Sequence, residues 1–186
     1  MIHSALVRSE DELFQIHRLN RENLREHISN TERMTEGFVS WLYPLDLLKR
    51  MHELAPSVIM KDDEKVVGYA LTTLKESRSF HADLSVFFGN LQDFHYLDKP
   101  LFDQSFYIMG QICLDKNYRG MGLVNGLYQK HYEVYHSRFD LLVTEISSSN
   151  PRSQKAHEKV GFKTIHTYTD SADEWNVVVW DWNNLR

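Results

Sequence analysis

Residues 116–133, KNYRGMGLVNGLYQKHYE, set Arg119, Gly120 and Gly122 between a β-like stretch and a helical one. A helix N-terminus presents backbone N–H groups with no partner inside the helix, and with the helix dipole these attract phosphate. Glycine at the entrance removes the Cβ that would hold an anion away. Arg119 adds positive charge at the rim. The same residues also suit a tight strand-to-helix turn, and the glycines alone do not separate the two readings. No G-x-x-x-x-G-K-[ST] run occurs, which argues against a P-loop enzyme. Gly120-Met121-Gly122-Leu123-Val124-Asn125 meets the dinucleotide fingerprint only with Asn at its last position. It also follows a long strand late in the chain instead of opening a βαβ unit.

Other reactive side chains give weaker signals. Cys113 is the single cysteine, which excludes an internal disulfide and a cysteine-built zinc site. Its apolar strand context fits a buried, inert thiol. The ten histidines are scattered, with no H-x-x-x-H or H-E-x-x-H pattern, so no metal site is expected. Glu145 stands out because a charged residue in an otherwise apolar strand is costly to bury unpaired.

These residues need a scaffold. A chain of 186 residues with 42% hydrophobic and 25% charged residues reads as one soluble domain spanning 1–186. A net charge of −5 argues against a nucleic-acid partner and mildly favours a cationic ligand. With no signal-like N-terminus and no apolar run near the ~20 residues of a membrane span, the expectation is a cytoplasmic protein without a membrane partner.

The pattern predicts a strand over 4–8, then a helix over about 9–27 with Ser9 as N-cap and Glu12 completing a capping box. A second helical region within 36–55 is expected to break near Pro44. A hairpin follows, with its turn at 61–64, and a helix is expected over about 81–95. Residues 105–115 form a long strand in which Gly110 marks a bulge or kink. A helix over about 122–137 and a strand over 140–147 lead to a short helix capped by Asn150, Pro151 and Gly161. Two strands finish the chain. The order β-α-α-β-β-α-β-α-β-α-β-β is an α/β (α+β) mixed sheet with helices on its faces. The aromatic segment 80–106 reads as core, with a lid over a pocket or a homodimer face as alternatives. Trp175, Trp180 and Trp182 read as core or dimer contacts.

Three ordered segments resemble the GNAT superfamily of N-acetyltransferases. Tyr118-Arg119-Gly120-Met121-Gly122-Leu123-Val124 is similar to that family's [Q/R]-x-x-G-x-[G/A] acyl-CoA loop, with Arg119 in the Q/R place and Gly122 as the central glycine. Val124 replaces the last small residue and keeps its backbone N–H. Asn150 through Phe162 is similar to N-x-x-[A/S]-x-x-x-[Y/H]-x-x-x-G-F, and Ile112-Cys113-Leu114-Asp115 to the end of the bulged fourth strand. The resemblance implies a mostly antiparallel sheet of about seven strands, splayed between the fourth and fifth, with helices on both faces.

It also implies acetyl-CoA (coenzyme A) as cofactor and an amine of a small molecule, amino acid or peptide as acceptor. By that resemblance, 119–124 hold the pyrophosphate and the exposed main chain of Ile112, Cys113 and Leu114 pairs with the pantetheine arm. The Leu114 N–H would polarise the thioester, and Asn150 and Ser153 would bind the cofactor. His157 would serve as the acid that protonates the departing thiolate, or would position the cofactor. Glu145 would be the base, with Asp115, Glu76, His81 or water alone as weaker rivals, or else a solvated or ion-paired carboxylate. Acceptor choice would lie in 20–55, with Trp41 and Tyr43 on one wall, and in 76–104. A non-catalytic acyl-CoA-binding sensor or regulatory module is the alternative function.

Overall fold

The structure is a computed structural model describing residues 1–32 and 37–185. Strand β1 (Ile2–Leu6) leads into helix α1 (Glu10–Glu22), where Ser9 Oγ accepts from the Glu12 amide at 3.2 Å. The Glu12 carboxylate reaches back one residue further than a capping box requires, to the Arg8 N–H at 2.7 Å. The helix stops at Asn23, short of residue 27, because the chain turns there and Leu24 bridges to Val39. Pro44 forms the N-cap of α2 (Leu45–Leu54), so residues 37–43 precede the helix and do not belong to it. Glu36, where that helical region was expected to begin, lies outside the described residues.

Strands β2 (Val58–Asp62) and β3 (Lys65–Thr73) form the expected hairpin. A 3-10 segment, Lys75–Phe80, and helix α3 (Ala82–Asn90) follow. Turns over 91–94, with the Phe94 N–H donating to the Leu91 carbonyl at 3.3 Å, take the place of the expected last helical turn and lead into the small hairpin β4 (His95–Tyr96) and β5 (Lys99–Pro100). Leu97 and Asp98 at its tip have φ of 51° and 60°, left-handed values that a helix cannot continue through. Strand β6 (Phe106–Leu114), helix α4 (Leu123–Tyr135), strand β7 (Leu141–Ser147), helix α5 (Pro151–Val160) and strands β8 (Lys163–Thr169) and β9 (Glu174–Asp181) complete the order.

The seven-stranded sheet runs β1-β2-β3-β6-β7-β9-β8 and is antiparallel except where β6 meets β7. Strand side chains alternate between faces. One face carries Met60, Tyr107 and Leu142 against Leu127 and Tyr128 of α4, and Trp180 and Trp182 are buried with them. The opposite face carries Ile59, Tyr69 and Cys113 against α1 and α2. Farther along that face, Phe106, Ile108, Leu141 and Val143 lie under Phe88 and Leu91, which places much of the aromatic segment in the core.

Two irregularities interrupt the regular pairing of β6. Ala70 pairs with Ile112 but Thr72 pairs with Met109, so β6 holds one extra residue at Gly110–Gln111. A Cβ at Gly110 would lie 2.6 Å from the Tyr43 hydroxyl oxygen and 2.4 Å from Thr73 Oγ1, so only glycine fits. The second irregularity is the junction with β7. The parallel ladder joins only Phe106–Ile108 to Leu141–Val143, although both strands run on.

Candidate functional site

Beyond Ile108 and Val143 the two strands part, with Thr144 Oγ1 donating to the Met109 carbonyl at 2.8 Å where they begin to diverge. Two cavities flank the opening, one of about 650 Å³ and one of about 350 Å³. Phe38, Val39, Ile112, Asn150, Ser153 and His157 border both.

The β6 edge left by this divergence supplies main-chain donors. Asp115 N–H bonds back to the Val67 carbonyl on β3 at 2.8 Å. In an antiparallel ladder adjacent residues alternate sides, so the peptide groups of Leu114 and Ile112 face away from β3. Arg119 agrees with this geometry, since its Nε donates to the Leu114 carbonyl at 3.2 Å. A second guanidinium nitrogen of Arg119 donates to Asn23 Oδ1, tying the end of β6 to the end of α1. Ile112, Cys113 and Leu114 line the larger cavity, but the Cys113 side chain is turned into the core, where burial pushes its thiol up to about 12.

The glycine loop forms another wall. Gly120 and Gly122 have φ of +78° and +75°, and Gly122 is the N-cap of α4 with no side chain capping it. A Cβ built on either glycine meets no heavy atom within 4 Å, so packing does not explain these glycines. The left-handed backbone does, and it leaves the first amides of α4 bordering open space. Leu123 and Val124 line the cavity, while the exposed Met121 side chain does not. Gly126 has another purpose: its missing Cβ makes room for Met60 Cε.

The chain matches the protein-family model described as the acetyltransferase (GNAT) family over residues 13–162. The chain belongs to this family. No curated protein matches it in sequence. Solved structures share the fold at low identity. An N-acetyltransferase from Staphylococcus aureus Mu50 is 18% identical, with a TM-score of 0.63 and coverage of 97% of this chain and 98% of that one. The ribosomal-protein-S18-alanine N-acetyltransferase of Escherichia coli is 12% identical, with a TM-score of 0.63 over 97% and 94% of the chains. The yncA structure from Salmonella typhimurium, solved with its cofactor acetyl-CoA, is 12% identical, with a TM-score of 0.64 over 97% and 94%.

The GNAT helix α5 brings Asn150, Ser153 and His157 to the wall between the cavities. Asn150 Oδ1 caps the helix by accepting from the Ser153 amide at 3.2 Å, and its Nδ2 donates to the Phe38 carbonyl at 3.3 Å. His157 is buried with both ring nitrogens engaged. Nδ1–H donates to the Ser153 carbonyl at 2.7 Å, and Nε2 accepts from the Tyr128 hydroxyl at 2.6 Å. Burial pushes its pKa down to about 4, against the effect of the Ser153 carbonyl, so the ring is neutral at physiological pH.

Glu145 continues the Leu141–Val143 alternation onto the face under α3, but at the point where β6 has left. It borders the smaller cavity and accepts from the Tyr168 hydroxyl at 2.8 Å, and Tyr168 in turn accepts from Asn90 Nδ2 at 3.1 Å. Burial pushes the Glu145 carboxyl up to about 8; the Asp170 charge adds to the rise and the Tyr168 hydrogen bond opposes it.

Two groups of residues escaped the sequence reading. Arg152, Lys155 and Lys159 of α5 join Arg119 around the larger cavity, and their spacing on one helical face was a usable signal. The other is the conformation of segment 37–43, expected to be helical, although its Trp41 and Tyr43 were expected on a pocket wall and do line the smaller cavity. Buried or half-buried amide side chains hold it instead: Asn20 Nδ2 and Gln111 Nε2 donate to the Trp41 carbonyl at 3.0 and 2.8 Å, alongside the Asn150 bond to Phe38. Nothing local in the sequence announced those long-range bonds.

Proposed function

We propose that the protein is an acetyl-CoA-dependent N-acetyltransferase acting in the cytoplasm, with the chain as one catalytic domain. The observation that carries this reading is the pair of cavities meeting at the opened edge of β6. The larger fits an anionic cofactor, with uncapped amides at α4, left-handed glycines facing open space and four cationic side chains. Arg119, Gly120, Gly122, Leu123 and Val124 hold the pyrophosphate, and the peptide groups of Ile112 and Leu114 pair with the pantetheine arm. Bound acetyl-CoA supplies the acetyl group as a thioester.

Glu145 takes a proton from the acceptor ammonium, directly or through water. A carboxyl near pKa 8 suits that exchange, since a base works best when its pKa lies close to the working pH. The Leu114 N–H polarises the thioester carbonyl. In a ternary complex the neutral amine would then attack the acetyl carbonyl; the C–S bond would break, and the proton lost by the amine nitrogen would pass to the departing thiolate. Of the two roles open to His157, positioning suits a buried neutral ring with both nitrogens engaged. It holds the Ser153 carbonyl where the cavities meet, and the buried Tyr128 hydroxyl holds the ring from the core side.

Incubation with acetyl-CoA and a panel of primary amines, read by release of free thiol, tests the proposal. Turnover above the background hydrolysis is expected. Acetyl-CoA binding without turnover on any amine would instead make the protein a binding module, and no binding at all would overturn the cofactor assignment.

A further inference from the structure

The smaller cavity borders three carboxylates drawn from separate elements: Asp83 at the start of α3, Glu145 on β7, and Asp170 just after β8. Among the described residues lining it there is no lysine or arginine, and its one histidine is the neutral His157. Aromatic rings, among them Trp41, Tyr43, Phe87 and Tyr168, share the remaining wall with aliphatic and neutral polar residues. Asp170 is held ionised chiefly by the Asp173 N–H, and also by that of Ala172, both of which donate to its Oδ1 at 2.9 and 2.7 Å. Asp83 is exposed at the mouth, and Glu145 sits at the inner end.

This arrangement selects against one chemical group. A carboxylate on the acceptor would meet the exposed charges of Asp83 and Asp170 at the mouth and would oppose ionisation of Glu145 at the inner end, with no lysine or arginine among the described lining residues to pair it. Like-charge juxtaposition in such a site is strongly unfavourable. An ammonium meets the opposite situation, attracted by the carboxylates at the mouth and by the faces of the aromatic rings.

We infer that the acceptor is a small cationic amine bearing no carboxylate, an aralkylamine or diamine and not a free amino acid. The inference rests on the acetyltransferase reading above and narrows it. Free amino acids present the same ammonium, so the discrimination lies in the second substituent alone.

Matched pairs that differ by one carboxylate test it: phenethylamine against phenylalanine, and 1,5-diaminopentane against lysine, with phenylalanine amide as the neutral control. The expected result is a kcat/KM at least about 100-fold higher for each decarboxylated partner, with the amide recovering most of the loss. Asp83→Arg should shrink the ratio about tenfold by offering the carboxylate a partner. Equal or better use of the free acids, or a ratio unmoved in Asp83→Arg, overturns the inference while leaving the acetyltransferase reading intact. Calorimetry of the same pairs on the coenzyme A-loaded protein reads selectivity without turnover. Amines that bind without being acetylated would support the acceptor class and sink the catalytic reading. Failure of every amine to bind would overturn the acceptor class itself.

Discussion

The two cavities sit side by side on the same opened edge of β6, yet they are electrostatic opposites. The larger is bordered by Arg119, Arg152, Lys155 and Lys159, the smaller by Asp83, Glu145 and Asp170. The larger uses bare backbone and left-handed glycines, whereas the smaller uses aromatic side chains. Between them runs the 37–39 segment with Asn150 and His157, a partition made mostly of peptide groups, amides and a neutral ring. One structural event, the early end of the β6–β7 ladder, therefore creates both sites. The charge of the flanking helices and turns then decides what each can hold. On the proposed reading, an anionic cofactor and a cationic acceptor would be kept apart until they meet at the β6 edge.

The sharpest way to break this division is to fill the larger cavity. Gly122→Trp places an indole in space where a Cβ now meets nothing, so the fold should survive with some backbone strain at φ +75°. Acetyl-CoA affinity should fall at least about 100-fold by calorimetry, because the ring covers the helix N-terminus. Unchanged affinity would remove the cradle from the account.

Glu145→Gln acts on the other side. It keeps the size of the side chain and an oxygen to accept from Tyr168, but it cannot take a proton. A loss of roughly 100-fold in turnover is expected, within the usual range for a removed general base, with acetyl-CoA affinity unaltered. In the wild type the rate should climb with pH through about 8 as Glu145 deprotonates, and that limb should vanish in the variant. A surviving limb would assign the base elsewhere.

The partition can be probed at His157. His157→Phe leaves the Tyr128 hydroxyl without its buried partner and frees the Ser153 carbonyl. If the ring positions both substrates, cofactor affinity and turnover should fall together, each by about tenfold. A large fall in turnover with binding intact would mark proton delivery instead.

The asymmetry between the cavities also explains what could be read from sequence. The larger one is built from contiguous segments, the end of β6, the loop 119–124 and the start of α5, so each left a local signature in glycine spacing, capping residues or strand pattern. Gly110 was legible as a bulge for the same reason. The smaller cavity draws Trp41, Asp83, Glu145 and Asp170 from four places far apart in the chain, and no local rule links them. Residues 37–43 were misread as helical because their conformation is set by Asn20, Gln111 and Asn150 from elsewhere. The helix expected over 81–95 ends at Asn90 in turns that lead to a small hairpin, whose tip, Leu97-Asp98, lacks the glycine that usually marks such a turn. Glu145 alone bridged the two regimes, visible as a misplaced charge in an apolar strand.

That misplaced charge has a smaller consequence, for stability. The Glu145 carboxyl has a folded-state pKa raised to about 8 from an ordinary value of 4.5. Between those values the folded protein holds a proton that the unfolded chain releases, so stability falls as pH rises through that window. The penalty is absent below about pH 4.5 and complete above about pH 8. Gln carries no charge to desolvate, so Glu145→Gln should melt a few degrees above the wild type at pH 9, on the order of 3 °C or more, and close to it at pH 5. Scanning calorimetry of the pair at both pH values checks the sign. An equal offset at pH 5 and pH 9 would mean that Glu145 is solvated in the folded protein, and the smaller cavity would lose the proposed proton acceptor that sets it apart from the larger.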